Sequence, residues 1–405
     1  MRKQWKIGVT LLTSAVLAMS CGKKSTDAKP TEEPEDKPAV IKPIARSMLG
    51  AFGQLPKHFD SKTNPPTPAK LKLGQMLYHE GRLSRSGKLS CNSCHVLAKY
   101  GVDGEPTSPG HAGARGDRNS PTTLNAAGHF RQFWDGREPD VEAQAKGPVL
   151  NPGEHGLKDA AEVQKILSEI PEYVEAFKKA FPESGDKAVT FDNFAKAVGA
   201  FERKLVTPAP WDKFLAGEED AISAEAKEGA RIFVETGCVS CHNGALLGGT
   251  TYQKLGKVKP WPRAEDPGRK KVTGKAEDLH HFKVPSLRNI AKTGPYFHDG
   301  KTASLEEAVK LMATHQLGKD LDDIQVAKLM AFLNSLTGQA DPKLLETPKL
   351  PAGPVAPAAP TAEPPVKGDA AAPTKKPEDV VKQAPKAKDD SPAPVPPKED
   401  APTKK

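Results

Sequence analysis

The sequence contains no run of the roughly twenty apolar residues that a membrane-spanning helix needs. Long apolar–polar alternation is also missing, which argues against a β-sandwich or barrel. Cysteine is scarce, with five in 405 residues, too few for a disulfide-stapled scaffold. Hydrophobic residues make up only 37% while proline and glycine are abundant, so a folded centre with disordered ends is expected rather than one large core. The first twenty residues hold no acid. They carry Arg2, Lys3 and Lys6, then a largely apolar run from Ile7 to Met19, then Ser20, the order of a secretory signal.

Cys21 stands where a bacterial lipoprotein would be cut and acylated. Ordinary cleavage nearby would leave it a free thiol. A lipid anchor gives the odd cysteine of an exported chain a reason and is the expectation. Gly22 follows, with no Asp to retain the protein in the inner membrane, so the periplasmic face of the outer membrane is the expected address. Residues 22–44 are Lys, Glu, Asp, Pro and Thr, which bury too little to offset the entropy of ordering, and read as a tether. Residues 341–405 are rich in Pro, Ala and Lys and read as a disordered or extended tail.

Between the ends, one plan occurs twice. Leu71, Leu73, Gly74, Leu77 and Tyr78 lead into Cys91, and Ala226, Gly229, Ile232 and Phe233 lead into Cys238. Each half closes with an amphipathic segment. One carries Phe191, Phe194, Val198 and Phe201; the other carries Ile324, Val326, Leu329, Met330, Phe332 and Leu333. Apolar positions at three- and four-residue steps predict helices that bury one stripe each. The expectation is a mainly α chain with two c-type cytochrome-like domains, 45–208 and 209–340, dividing near Thr207-Pro208-Ala209-Pro210.

Four of the five cysteines fall in Cys91-Asn92-Ser93-Cys94-His95 and Cys238-Val239-Ser240-Cys241-His242. Two thiols on one turn reach the two vinyl groups of a haem, and the next histidine then faces the iron. A zinc site built from the four thiols would leave both histidines unexplained, and a thioredoxin-like pair would need a βαβ frame. Two covalent haem c groups are therefore expected. Formal net charge is +8; without the three leading basic residues it falls to +5, and four haem propionates would remove most of that. The basic pI is therefore no nucleic-acid signal.

The stretch from LSCNSCHVLAKYGVDG through SPGHAGARGDRNSPTTLNAAGHFRQFWDGR to AQAKGPVLNPGE resembles the bacterial di-haem cytochrome c peroxidases. So do FERKLVTPAPWDKFLAGE, GARIFVETGCVSCHNG and FKVPSLRNIAKTGPYFHDGKTASLEEAVKLMATHQLG, over about residues 45–340 in order. The resemblance implies an enzyme that reduces hydrogen peroxide with electrons from a small cytochrome c or a copper protein. It implies that the first haem reacts with peroxide, with His111 as its distal histidine and Glu154 as acid–base residue, and that Trp134 lies between the haems. On the residues alone, His111 sits in a glycine-rich loop from which it could swing or merely face solvent. Glu154 is one acid among many, and Trp134 reads equally as core.

In the second half the resemblance makes Met312 the axial ligand of a high-potential haem. His315, three residues on, could compete from the next turn. A calcium ion is implied between the domains, on Asn119, Thr293 and Pro295, although no acidic cluster marks it. The family commonly forms homodimers, but no dimer face is legible. His79 departs from the family pattern in LYHEGRLS and is expected to be a packing variation. Two rivals share the scaffold. One is an enzyme that matures a tryptophan-derived quinone in a partner protein, in which a Tyr replaces the axial Met. The other is a pure electron carrier, which would leave Glu154 without a purpose.

Overall fold

The computed structural model describes residues 44–354. The expected signal segment, Cys21, nearly all of the expected tether and the chain after 354 lie outside the described residues. The first half contains α1 (Pro68–Tyr78), α2 (Cys91–Cys94), α3 (Val141–Leu150), α4 (Ala160–Ser168), α5 (Pro171–Ala180) and α6 (Phe191–Glu202). The second contains α7 (Pro210–Leu215), α8 (Ala224–Thr236), α9 (Lys270–Thr273), α10 (Leu305–Leu311), α11 (Asp323–Ser335) and α12 (Pro342–Leu345). A π-helix, Met312–Leu317, continues α10. The described strands are β1 (Tyr252–Lys254) and β2 (His281–Lys283), an antiparallel pair with Gln253 opposite Phe282.

Helix starts follow the capping rules. Thr67, Thr190, Ser223 and Asp322 each accept a backbone N–H from the first turn of α1, α6, α8 and α11. These four helices form two pairs, α1 on α6 and α8 on α11, each at the centre of one of the two apolar cores. Both pairs cross at a glycine. A methyl group on Gly74 would lie 2.0 Å from the Ala197 carbonyl oxygen, and one on Gly229 would lie 1.9 Å from that of Lys328. Backbone meets backbone there, which only glycine permits. Gly74→Ala and Gly229→Ala should each lower unfolding stability by about 1–3 kcal/mol, despite alanine's better helix propensity. Urea denaturation checks this; stability equal to or above the parent would refute the tight crossing.

A second internal repeat runs through the loops. Asn125 and Asn289 both adopt left-handed backbone at φ 62° and 61°, and Phe133 and Phe297 both at φ 67°. The isolated bridges Gln132 with Glu138 and Tyr296 with Thr302 close equivalent turns. Trp134 and His298 therefore hold matching positions in the two halves. Thr207 joins the repeats: its hydroxyl is hydrogen-bonded by Asn125 Nδ2 at 2.7 Å and Asn289 Nδ2 at 2.9 Å.

The chain ends cross over. Ile44, Met48, Leu49 and Phe52 pack into the second core, where Phe52 meets Trp211 edge-on at 5.3 Å. Residues expected to open the first domain at 45 thus pack against the second core. At the other end, residues 341–354 return to the first domain. Leu344, Leu345 and Leu350 pack on its core, Gln75 donates to the carbonyls of Lys343 and Glu346, and Arg82 donates to that of Pro351. The described part of the segment expected to be tail is therefore packed, because three leucines in a Pro- and Lys-rich context give it an apolar face.

Candidate functional site

The second Cys-x-x-Cys-His begins where α8 stops at Gly237, whose φ of 100° turns the chain. His242 Nδ1 donates to the Leu247 carbonyl at 3.0 Å, which leaves Nε2 as the ring's lone pair. Burial lowers its pKa, so the ring is neutral and fit to be a ligand. A largely apolar cavity opens here, lined by Cys238, Cys241, His242, Phe297, Met312 and Leu333 among others. A thiol pair, a pinned neutral imidazole and a thioether around one apolar space fit a haem c.

Met312 lines this cavity and His315 does not. The widened π turn separates them, a feature frequent at functional sites. The His315 ring lies edge-on to the buried Trp261 at 5.4 Å, and its carbonyl accepts the N–H groups of Val258 and Lys259. Met312→His is expected to lower the potential of the second haem strongly, and His315→Ala to leave it nearly unchanged. Potentiometric titration reads both; a large shift in the His315 variant would reverse the assignment.

The first motif forms α2, with Ser90 and Ser93 capping each other across it. The Tyr78 hydroxyl donates to the His95 carbonyl at 2.8 Å, tying α1 to the motif. Burial pushes the Cys91 thiol up to about 12 and Cys94 to about 11. No cluster of three or more His, Cys, Asp or Glu side chains that could hold a metal ion occurs among the described residues. The two thiol pairs are thus separate sites, unlike a four-thiol zinc centre.

His111 stands at a turn, Gly110 N–H bonding to the Ala114 carbonyl. Its own N–H donates to the Glu154 carbonyl at 2.8 Å, and its ring rests on Gly156, where a methyl would come within 2.4 Å. The Glu154 carboxylate accepts from Asn151 Nδ2 at 2.8 Å, and burial raises its pKa. His155, next in the chain, is buried with Nδ1 donating to the Leu83 carbonyl at 2.7 Å, and burial lowers its pKa. His79 is also buried, with Nδ1 bonded to the Gln75 carbonyl and Nε2 without a partner among the described residues.

Trp134, Asn119, Thr293 and Pro295 all border the second cavity from between the halves. Trp134 Nε1 donates to the Asn119 carbonyl at 2.9 Å, and its ring meets His298 at 6.4 Å. Sequence reading missed several residues here. Arg118 bridges Asp135 and Asp266 at 2.6 Å each, joining the halves. Lys283 lines the cavity and donates to His129 Nδ1 at 3.0 Å; burial brings it down to about 8. Only the Trp134–His298 pairing had a signal, the FWDG and FHDG repeat.

The family model for di-haem cytochrome c peroxidase matches residues 68–220, and that for cytochrome c matches 226–337. A cytochrome c551 peroxidase of Pseudomonas aeruginosa is 44% identical over 78% of this chain and 88% of its own length. One from Nitrosomonas europaea is 45% identical over 69% and 84%. The solved structure of a MauG-like protein associated with microbial copper homeostasis superposes with TM-score 0.64 at 28% identity, covering 73% of this chain and 95% of that one. The chain therefore belongs to the di-haem cytochrome c peroxidase family, whose members hold two haem c groups and reduce hydrogen peroxide.

Proposed function

We propose that the first haem, on Cys91, Cys94 and His95, is where peroxide reacts, and that the second, on Cys238, Cys241, His242 and Met312, takes electrons from a donor. The supporting observation is that His111 and Glu154, distant in sequence, are joined by a backbone hydrogen bond of 2.8 Å. A displaceable ligand and an acid–base group thus share one place. When bound, the haem groups supply the two electrons that peroxide needs. His111 would shield the peroxide-binding side of the first haem and, standing in a glycine-rich loop, would give way to admit peroxide. Glu154 takes the proton from the inner peroxide oxygen and hands it to the outer one, and two further protons complete two waters. Asn151 orients the carboxylate. Trp134, Asn119 and His298 form the connection between the halves.

The donor is a small cytochrome c or cupredoxin. Asn119, Thr293 and Pro295 offer amide and backbone oxygens to calcium. Cys21 carries the lipid that holds the enzyme to the outer membrane in the periplasm.

A stepwise reductive titration followed by absorption and EPR tests this reading. One haem should reduce at high potential, and the other should then turn high-spin and react with peroxide. Two haems that reduce together at low potential and stay low-spin under peroxide would mark an electron carrier instead.

A further inference from the structure

The second centre needs an entry point for electrons, and one edge of its cavity carries an unusual surface. β1 brings Gln253 Nε2 to 3.8 Å from Cys241 Sγ, and Gln253, Lys254 and Leu255 line the cavity. The chain then runs Lys254-Leu-Gly-Lys257-Val258-Lys259-Pro with no acid until Glu265. This loop is fixed to the π-helix that bears Met312. Gly256 N–H donates to Gln316 Oε1 at 3.0 Å, and Gln316 Nε2 donates to the Lys254 carbonyl at 2.8 Å. The N–H groups of Val258 and Lys259 both reach the His315 carbonyl, at 3.1 and 3.0 Å.

On this rigid platform Val258 is 56% exposed, and Lys254, Lys257 and Lys259 around it are exposed too. None of the three lysines forms an ion pair among the described residues. Downstream, Arg263 is engaged with Asp299 and Asp266 with Arg118, and the exposed Glu265 is the one nearby acid without an ion pair among the described residues, against three lysines. A solvated lysine run needs neither a rigid support nor an exposed valine at its centre. An apolar contact inside a ring of one charge, beside the edge of a redox group, is what brief docking of an electron carrier requires.

We propose that the Lys254–Lys259 loop is the docking face for the electron donor, and that it selects a donor with an acidic face. The inference rests on the peroxidase reading above and specifies its partner by charge. Long-range attraction then raises the encounter rate, and salt weakens it as the Debye length falls to about 8 Å at physiological ionic strength.

The test uses the full di-haem protein and three reductants: a small acidic c-type cytochrome, a basic mitochondrial-type cytochrome c and tetramethyl-p-phenylenediamine. The acidic cytochrome should be the preferred protein donor, with kcat/KM falling as salt rises. Lys257→Glu with Lys259→Glu should raise its KM roughly tenfold or more and flatten the salt dependence, leaving turnover with the dye unchanged. A wild-type preference for the basic cytochrome would overturn the proposal. So would an unaltered KM in the variant, or an effect of the variant only on binding to phosphatidylglycerol vesicles. Failure of the wild type to reduce peroxide even with the dye would instead overturn the peroxidase reading and this inference with it.

Discussion

Glu154→Gln is expected to cut kcat/KM for hydrogen peroxide by about 10²–10⁴, while both haem spectra stay as in the parent. The loss corresponds to roughly 3–5 kcal/mol of transition-state stabilisation. Glutamine keeps the size of the side chain and still accepts the Asn151 amide through its own oxygen, so the local packing is preserved. What disappears is the capacity to take a proton from one oxygen of peroxide and return it to the other. His155 cannot readily substitute, because its Nδ1 is committed to the Leu83 carbonyl at 2.7 Å and its backbone is bonded to Arg85 and Pro148.

The pH profile supplies a second signature. Burial raises the Glu154 carboxyl above the ordinary value of 4.5, and the group must be ionised to accept the first proton. The parent should therefore lose activity on the acid side at a higher pH than an exposed glutamate would allow, and the Gln variant should lack that limb. Turnover within a few-fold of the parent, with the acid limb intact, would remove Glu154 from the chemistry.

The two candidate haem motifs were legible because covalent attachment fixes their spacing: two thiols and a histidine must share one turn, whatever surrounds them. The paired helices were legible for a similar reason, since burial of one face writes itself as a three- and four-residue period. The loops that unite the halves were not. Asn125 and Asn289 are placed by left-handed backbone and by a shared hydroxyl on Thr207, and neither leaves a hydrophobic pattern. Lys283 and His129 lie 154 residues apart, and each reads alone as an ordinary polar residue. Composition also misdirected at both ends. Ile44 read as the end of a tether and Phe52 as the opening of the first domain, yet both pack in the second core, and Leu344, Leu345 and Leu350 were submerged among prolines and lysines. The choice between Met312 and His315 could not be made by counting along an α-helix, because the local helix is not α.

Glu202→Gln is expected to stabilise the protein, by an amount that grows with pH. Glu202 ends α6, is 4% exposed and makes no side-chain hydrogen bond among the described residues. The adjacent Arg203 gives it little, because that guanidinium is bidentate to Glu142 at 2.9 and 2.7 Å. Burial, with the nearby Glu142 charge adding to it, lifts the Glu202 carboxyl to about 8 from 4.5. Between those values the folded protein holds a proton that the unfolded chain releases. The unfolded state binds fewer protons, so stability falls as pH rises through this window. Below it, a neutral glutamic acid and a glutamine are nearly equivalent and the two proteins should melt alike. Near pH 8 the variant should lead by roughly 4 kcal/mol, since each tenfold change in proton affinity between the two states is worth about 1.4 kcal/mol. Parallel melting curves across the whole window would show that Glu202 is ionised in the fold. The same group also raises the Cys91 thiol through its charge, which places it within electrostatic reach of the first haem's attachment point. As Glu202 ionises, the midpoint potential of that haem should drift downward with rising pH in the parent and stay flatter in the Gln variant. A drift of equal size in both would assign the titration to another group and leave Glu202 a purely structural burden on α6.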